Sequence, residues 1–170
     1  IPFRMGWIPE SVSANLSDIV KERPDGKGGV VPCLTWDNAH LVCNVKQGED
    51  EFPMIIELKR ICPGATNSWN IEIDGLKQSA RFSTDDPNAF YYTEPRGREQ
   101  AWCRVDIGSK PMIPTITGSI FEFGFSDSIL QMWATFVCEV AGISVPFGCL
   151  RPEETALSHK LQTAALISHK

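Results

Sequence analysis

The clearest alternation of apolar and polar positions falls at 70–82. Ile71 and Ile73 alternate with Glu72 and Asp74, and Ala80 and Phe82 alternate with Ser79 and Arg81. Asp74-Gly75 lies between the two runs, where a tight hairpin calls for residues that tolerate positive φ. Period-two patterning on both sides of Asp-Gly predicts a pair of antiparallel strands.

The same period recurs on either side of this ribbon. Upstream, 12–20 places Val12, Ala14 and Leu16 on one side, and 39–46 does the same with Leu41, Cys43 and Val45. A Pro24-Asp25-Gly26 turn falls in the loop 23–29, a polar turn at 47–51, and a further strand at 53–62. Downstream, a turn at 85–88 precedes an aromatic strand at 89–93, and a second turn at 94–97 leads into 100–107. There Ala101, Cys103 and Val105 oppose Trp102, Arg104 and Asp106. Short turns between successive strands predict an antiparallel meander. The leading segment 1–11 and the Pro- and Gly-bearing stretch 108–125 read as irregular, although Phe121 and Phe123 are large for a solvated loop.

The period then changes. Ile129, Met132, Trp133, Phe136, Val137 and Val140 recur at helical spacing and predict an apolar helix face over 126–141. Ser126 or Asp127 is the expected cap, and Gly142 lies just past the end. A second helix over 152–169 has Pro152 in its first turn, with Glu153 and Glu154 at the positive end of its dipole. Leu157, Leu161, Ala164 and Leu166 or Ile167 supply its buried side. Strands first and helices last predict an α+β fold in a single domain, 1–170. Its open, mainly antiparallel sheet spans about 12–107, with the C-terminal helices packed on one face. The other face is left to solvent or to a partner.

Composition narrows the classes. The 170 residues are 42% hydrophobic and 22% charged, which is ordinary for a globular protein. A net charge of −5 with no long run of either sign predicts no nucleic-acid partner. No apolar run reaches the length of a membrane span, so no membrane partner is predicted. The six cysteines form no CxxC pair, and reduced thiols in a cytoplasmic setting are expected. Ile1 in place of an initiating Met leads to the expectation of a chain that is processed, truncated or cut from something longer.

Several motifs in order carry a resemblance. They are Trp36-Asp-Asn-Ala39, Phe52-Pro-Met54, Glu57-Leu-Lys-Arg60 and Pro63-Gly-Ala-Thr-Asn-Ser-Trp69, then Gly75-Leu-Lys-Gln-Ser-Ala-Arg-Phe82, Gly118-Ser-Ile-Phe-Glu-Phe-Gly-Phe-Ser-Asp127 and Pro152-Glu-Glu-Thr-Ala-Leu157. From about Val12 onward the sequence resembles the C-terminal substrate and oligomerisation domain of the Gfo/Idh/MocA oxidoreductases. The resemblance implies NAD or NADP for a full-length protein, a sugar or polyol substrate, and a homodimer or homotetramer built through the exposed sheet face. The family's glycine-rich dinucleotide turn, its Glu-Lys-Pro motif and its helical Asp and His are absent from this sequence. The chain alone is therefore expected to hold no cofactor, no metal and no catalytic residue. The alternative is a stand-alone, non-catalytic binding or assembly module that uses the same fold.

A polyol pocket needs amide and charged groups for hydroxyls and aromatic faces for the carbon skeleton. Lys59, Arg60, Asn67, Trp69, Phe121 and Phe123 are the substrate-binding candidates, and the resemblance alone puts Asn67 at a substrate-contacting position. The competing reading makes Asn67 a turn residue, Trp69 and the phenylalanines core, and Arg60 the partner of an acid. Asp37 and His40 sit three apart at a strand entry rather than four apart on a helix, so His40 is not assigned as a base. His159 and His169 read as surface or helix-end residues, Glu49-Asp50-Glu51 as a solvated turn, and Arg96-Gly97-Arg98 as a hairpin tip.

Overall fold

The computed structural model describes residues 2–108, 110–118, 120 and 123–169. It shows an α+β chain of antiparallel strands followed by two helices. The chain divides into two compact units, Ile1–Pro63 with Leu150–Lys170, and Gly64–Cys149. The predicted single sheet is resolved, among the described residues, into sheets of three, two and four strands.

In the first unit, β1 (Ile8–Ser17), β4 (Asn38–Gln47) and β5 (Asp50–Lys59) form an antiparallel sheet in the order β1-β4-β5. A short 3-10 turn at Pro2–Met5 precedes β1, inside the stretch read as irregular. Gln47 pairs with Asp50, so the predicted polar turn shrinks to Gly48 and Glu49, with Gly48 at φ 64. Positive φ at the first turn position matches the right-handed twist of a two-residue hairpin. Alternation on β4 sends Leu41, Cys43 and Val45 inward, where all three are buried. Leu16, Leu41, Cys43 and Ala165 form the core, with Val12, Ala14, Ala39, Met54, Ile56 and Leu161 packed around it. Ala165 and Leu161 come from α2 (Pro152–Ser168), which lies against β1. A two-stranded ribbon, β2 (Glu22–Pro24) and β3 (Val30–Pro32), brackets the predicted loop. Asp25 closes that loop by accepting the N–H groups of Lys27 at 2.7 Å and Gly29 at 2.9 Å.

The second unit is a meander of β6 (Asn70–Asp74), β7 (Ser79–Ser83), β8 (Ala89–Arg96) and β9 (Glu99–Asp106). The hairpin at 70–82 forms, with Ile71 opposite Phe82 and Ile73 opposite Ala80. Its turn differs from the prediction. Asp74 pairs with Ser79, so four residues form the loop, and the Gly75 N–H donates to the Gln78 carbonyl at 3.0 Å. Gly75 does not lie at positive φ. It is needed for a different reason: a Cβ there would meet the Gln78 carbonyl oxygen at 2.9 Å. On β8 the strand runs on to Arg96, and the tip is Gly97-Arg98, with Gly97 at φ 63.

Helix α1 (Phe125–Val140) is capped two residues before Ser126, the earlier of the two expected caps. Gly124 is the N-cap residue, and Asp127 reaches back to accept its N–H at 3.0 Å. Gly142 ends the helix at φ 72, and the Ile143 N–H donates to the Cys138 carbonyl at 2.8 Å. Gln131 ties α1 to the preceding loop, accepting the N–H groups of Met112 and Ile113 and donating to the Ile113 carbonyl. The apolar side expected to be buried stays largely uncovered; Trp133, packed edge-on against Phe136, is 58% exposed.

Candidate functional site

The most constructed polar cluster lies in the first unit, between the ends of β1 and β5. Asp37 immediately precedes β4, and its side chain has no solvent exposure. One carboxylate oxygen accepts the N–H groups of Ile19 at 2.9 Å and Val20 at 2.7 Å, while the other takes Arg23 Nη2 at 2.7 Å. The backbone of the same residue binds the Ser17 carbonyl and the Arg60 N–H, each at 2.8 Å. Asp37 thus ties the end of β1, the β2–β3 ribbon and the end of β5 to one point. The Val20 amide above all, with Ile19 and Arg23 after it, holds the Asp37 carboxyl below the usual carboxylate range against the opposing effect of burial.

Arg23 also turns toward a thiol. Its Nε lies 3.1 Å from Cys33 Sγ, and the Thr35 hydroxyl lies 3.4 Å from the same sulfur. Thr35 first, and Arg23 next, lower the Cys33 pKa. Cys33 in turn is the main reason that Arg23 is raised. Arg60 completes the group by donating to Thr35 Oγ1 at 3.3 Å. Arg23 and Cys33 were absent from the sequence-based candidates and Asp37 was weighed only beside His40, because nothing periodic links an arginine, a thiol and a carboxylate held together by loop geometry.

The six predicted positions divide between the units. Lys59 ends β5 and binds Glu57 at 2.7 Å, and His40 Nδ1 approaches the other Glu57 oxygen at 3.1 Å. Lys59 is the larger cause of the lowered Glu57 pKa, with His40 a smaller one, and Lys59 is raised in return. His40, Glu57 and Lys59 share the open face of the three-stranded sheet, opposite Leu41 and Cys43, which fits a polar strand histidine. On that face Val42 and Ile55 pair directly and are 53% and 70% exposed. Arg60 meets a hydroxyl and a backbone carbonyl rather than the acidic side chain of the competing reading.

In the second unit, Asn67 is the one non-glycine residue with positive φ among those described, at 53°. Its loop ends where Trp69 exchanges bonds with Thr84. The Trp69 N–H donates to Thr84 Oγ1 at 2.8 Å and the Thr84 N–H to the Trp69 carbonyl at 3.0 Å. The Trp69 ring is 70% exposed, so the reading of it as core is set aside. Phe123 is half-buried just ahead of α1, and Phe121 lies outside the described residues. A row across the meander joins Arg81, Tyr91 and Arg104. Arg81 stacks 4.3 Å from the Trp102 ring, and Arg104 binds Asp86 at 2.6 Å and the Tyr91 hydroxyl at 2.8 Å.

Neither described helix start is arranged as a pyrophosphate site. A pyrophosphate site uses the free N–H groups and positive end of a helix reached from a glycine-rich turn. Here Asp127 sits on the Gly124 N–H, and Glu154 accepts the Arg151 N–H at 2.9 Å, so a carboxylate already stands at the start of each helix. No three His, Cys, Asp or Glu side chains among the described residues gather at metal-binding geometry. None of the described helices is long and apolar enough to cross a membrane.

No protein-family model matches the sequence, and no curated protein matches it. Solved structures do match the fold. An NAD-binding oxidoreductase from Klebsiella pneumoniae superimposes with a TM-score of 0.75 at 18% identity, over 99% of this chain and 45% of the other. Levoglucosan dehydrogenase in complex with NADH and L-sorbose gives 0.70 at 18% identity, over 96% and 42%. The super-repressor mutant of Gal80p from Saccharomyces cerevisiae gives 0.68 at 13% identity, over 99% and 44%. The chain spans less than half the length of each of these proteins, and the matched part is their C-terminal portion.

Proposed function

We propose that this chain, which has the fold of the C-terminal portion of Gfo/Idh/MocA-type oxidoreductases, is the substrate-side and subunit-contact part of an NAD(P)-dependent sugar or polyol dehydrogenase. The observation that carries this reading is the fold match over 96% of the chain to a dehydrogenase holding both NADH and a sugar. The cofactor would be held by the remainder of such a protein, since both helix starts here are taken by carboxylates. In this reading the candidate substrate contacts are taken unit by unit: Lys59 and Arg60 of the first unit offer polar groups to hydroxyls, and Asn67, Trp69 and Phe123 of the second offer an amide and apolar faces. The open face around Val42 and Ile55 is the contact between subunits of a homodimer or homotetramer, because β-branched side chains exposed as a pair favour a covered setting. A cytoplasmic location accords with this chemistry.

The test uses the full-length polypeptide that carries this chain. NADH binding followed by fluorescence, and NAD(P) reduction followed at a panel of sugars and polyols, should both be positive. Arg60→Gln should raise KM more than it lowers kcat. Micromolar NADH binding by residues 1–170 alone would overturn the division of labour.

A second reading, a non-catalytic binding module, is favoured by the Gal80p match, since that neighbour is described as a repressor mutant rather than an oxidoreductase. A full-length protein that binds NADH but reduces no cofactor with any polyol would select it.

A further inference from the structure

Strand β1 is an edge strand, with β4 as its one neighbour in the sheet. In an antiparallel ladder, alternate residues turn their N–H groups away from the partner strand. Ala14 and Leu16 are two such residues, and their outward N–H groups are both capped by the last turn of α2. The Ala14 N–H donates to Ser168 Oγ at 3.2 Å, and the Leu16 N–H donates to His169 Nδ1 at 3.2 Å. Trp36 supports the imidazole from the side, edge-on at a centroid distance of 4.8 Å. Two neighbouring strand donors are therefore satisfied by side chains from a helix end more than 150 residues away in sequence.

We infer that His169 and Ser168 form a protonation-sensitive clasp on the free edge of β1, independently of the function proposed above. The chemistry of the contact sets its sign. Nδ1 accepts a hydrogen bond only through its lone pair, so the ring is unprotonated at that atom while the clasp is closed. Imidazole is the side chain that takes up a proton between pH 5 and 8. Once both ring nitrogens carry protons, an N–H faces an N–H, the Leu16 amide loses its acceptor, and the strand edge opens to solvent. Ser168 does not titrate and keeps its bond to Ala14, so opening begins at Leu16.

Among the described residues no carboxylate pairs with the His169 ring, although the negative end of the α2 dipole favours a cation there. Asp18 pairs with Lys21 at 2.8 Å, and Asp37, next to Trp36, is held by Arg23 and two backbone amides. His40 on β4 pairs with Glu57 on the sheet's opposite face. Glu10 on β1 and Lys160 on α2 line a groove of about 250 Å³ beside the start of β1, and His159 lies earlier on α2.

Amide hydrogen exchange on the ¹⁵N-labelled chain tests the clasp, with rates corrected for their intrinsic pH dependence. Protection of the Leu16 amide should fall roughly twofold or more between pH 8 and pH 5.5. Cys43 in the core should hold its protection over the same range. His169→Asn places a non-titrating acceptor near Nδ1 and should keep Leu16 protected at both pH values, whereas His169→Ala should leave it exposed at both. Wild-type protection as flat as that of His169→Asn would overturn the inference. So would a loss at Leu16 matched by an equal loss at Cys43, which would report global unfolding instead.

Discussion

Arg23 Nη2 stands 2.7 Å from Asp37 Oδ1, and that ion pair fixes three separate pieces of chain to one buried carboxylate. Removing one partner of a buried pair costs far more than the pair contributes, because the other is left without compensation. Asp37→Asn should therefore lower Tm by roughly 6 °C or more, read by circular dichroism. The pH dependence follows from the direction of the shift. The folded carboxyl titrates below its unfolded value, so its stabilisation is complete above about pH 4 and is lost as pH falls through the depressed folded value. The Tm gap between wild type and Asp37→Asn should narrow below about pH 4. A constant gap down to pH 2 would contradict the assignment.

Leu41 is buried at the centre of the first unit's core. Leu41→Ala should destabilise by about 3 kcal/mol, the transfer loss plus a cavity that the β4 ladder does not let collapse. Leu34→Ser, exposed in the loop after β3, should stay within about 0.5 kcal/mol. Urea midpoints at constant m-value would separate the two.

Asn67 tests structure against function at one position. At φ 53, Asn67→Ala should cost about 1 kcal/mol, whereas Asn67→Gly is free of that strain. If Asn67 also contacts substrate, Asn67→Gly in the full-length protein should keep its Tm and raise KM. An unchanged KM would leave Asn67 as a turn residue alone.

Cys33 should be alkylated at lower pH than an ordinary thiol, since Thr35 and Arg23 stabilise its thiolate. Its rate with iodoacetamide, followed by peptide mass spectrometry, should reach half its maximum below about pH 8.5. Arg23→Gln should move that midpoint upward. Cys43, whose burial pushes its thiol up, should react only on unfolding.

What the sequence made legible is what repeats. The period of two located β4 through Leu41, Cys43 and Val45, and the period of 3.6 located both helices to within a residue or so. The glycine after α1 was read correctly from the αL cap that it supplies. The turn after Asp74 was misjudged because Gly there relieves a clash with a carbonyl rather than supplying positive φ. The cluster around Asp37 was missed for a deeper reason. Its partners stand 14, 17 and 18 residues away on an irregular path, and no periodicity records which loop a side chain will reach. His169 was placed correctly at a helix end, but its contact with Leu16 depends on the tertiary docking of α2.

The first unit is interrupted: residues 64–149 intervene between β5 and the helix that closes its core. During synthesis the β4–β5 hairpin can form as soon as it leaves the ribosome, because its two-residue turn makes every contact local. Leu16 and Leu41 must then wait for Ala165, with the whole second unit emerging first. A nascent chain arrested at Cys149 should therefore expose this apolar surface and engage chaperones, and release through Ser168 should end that engagement. The last turns of α2 decide when the first unit's strands are finished.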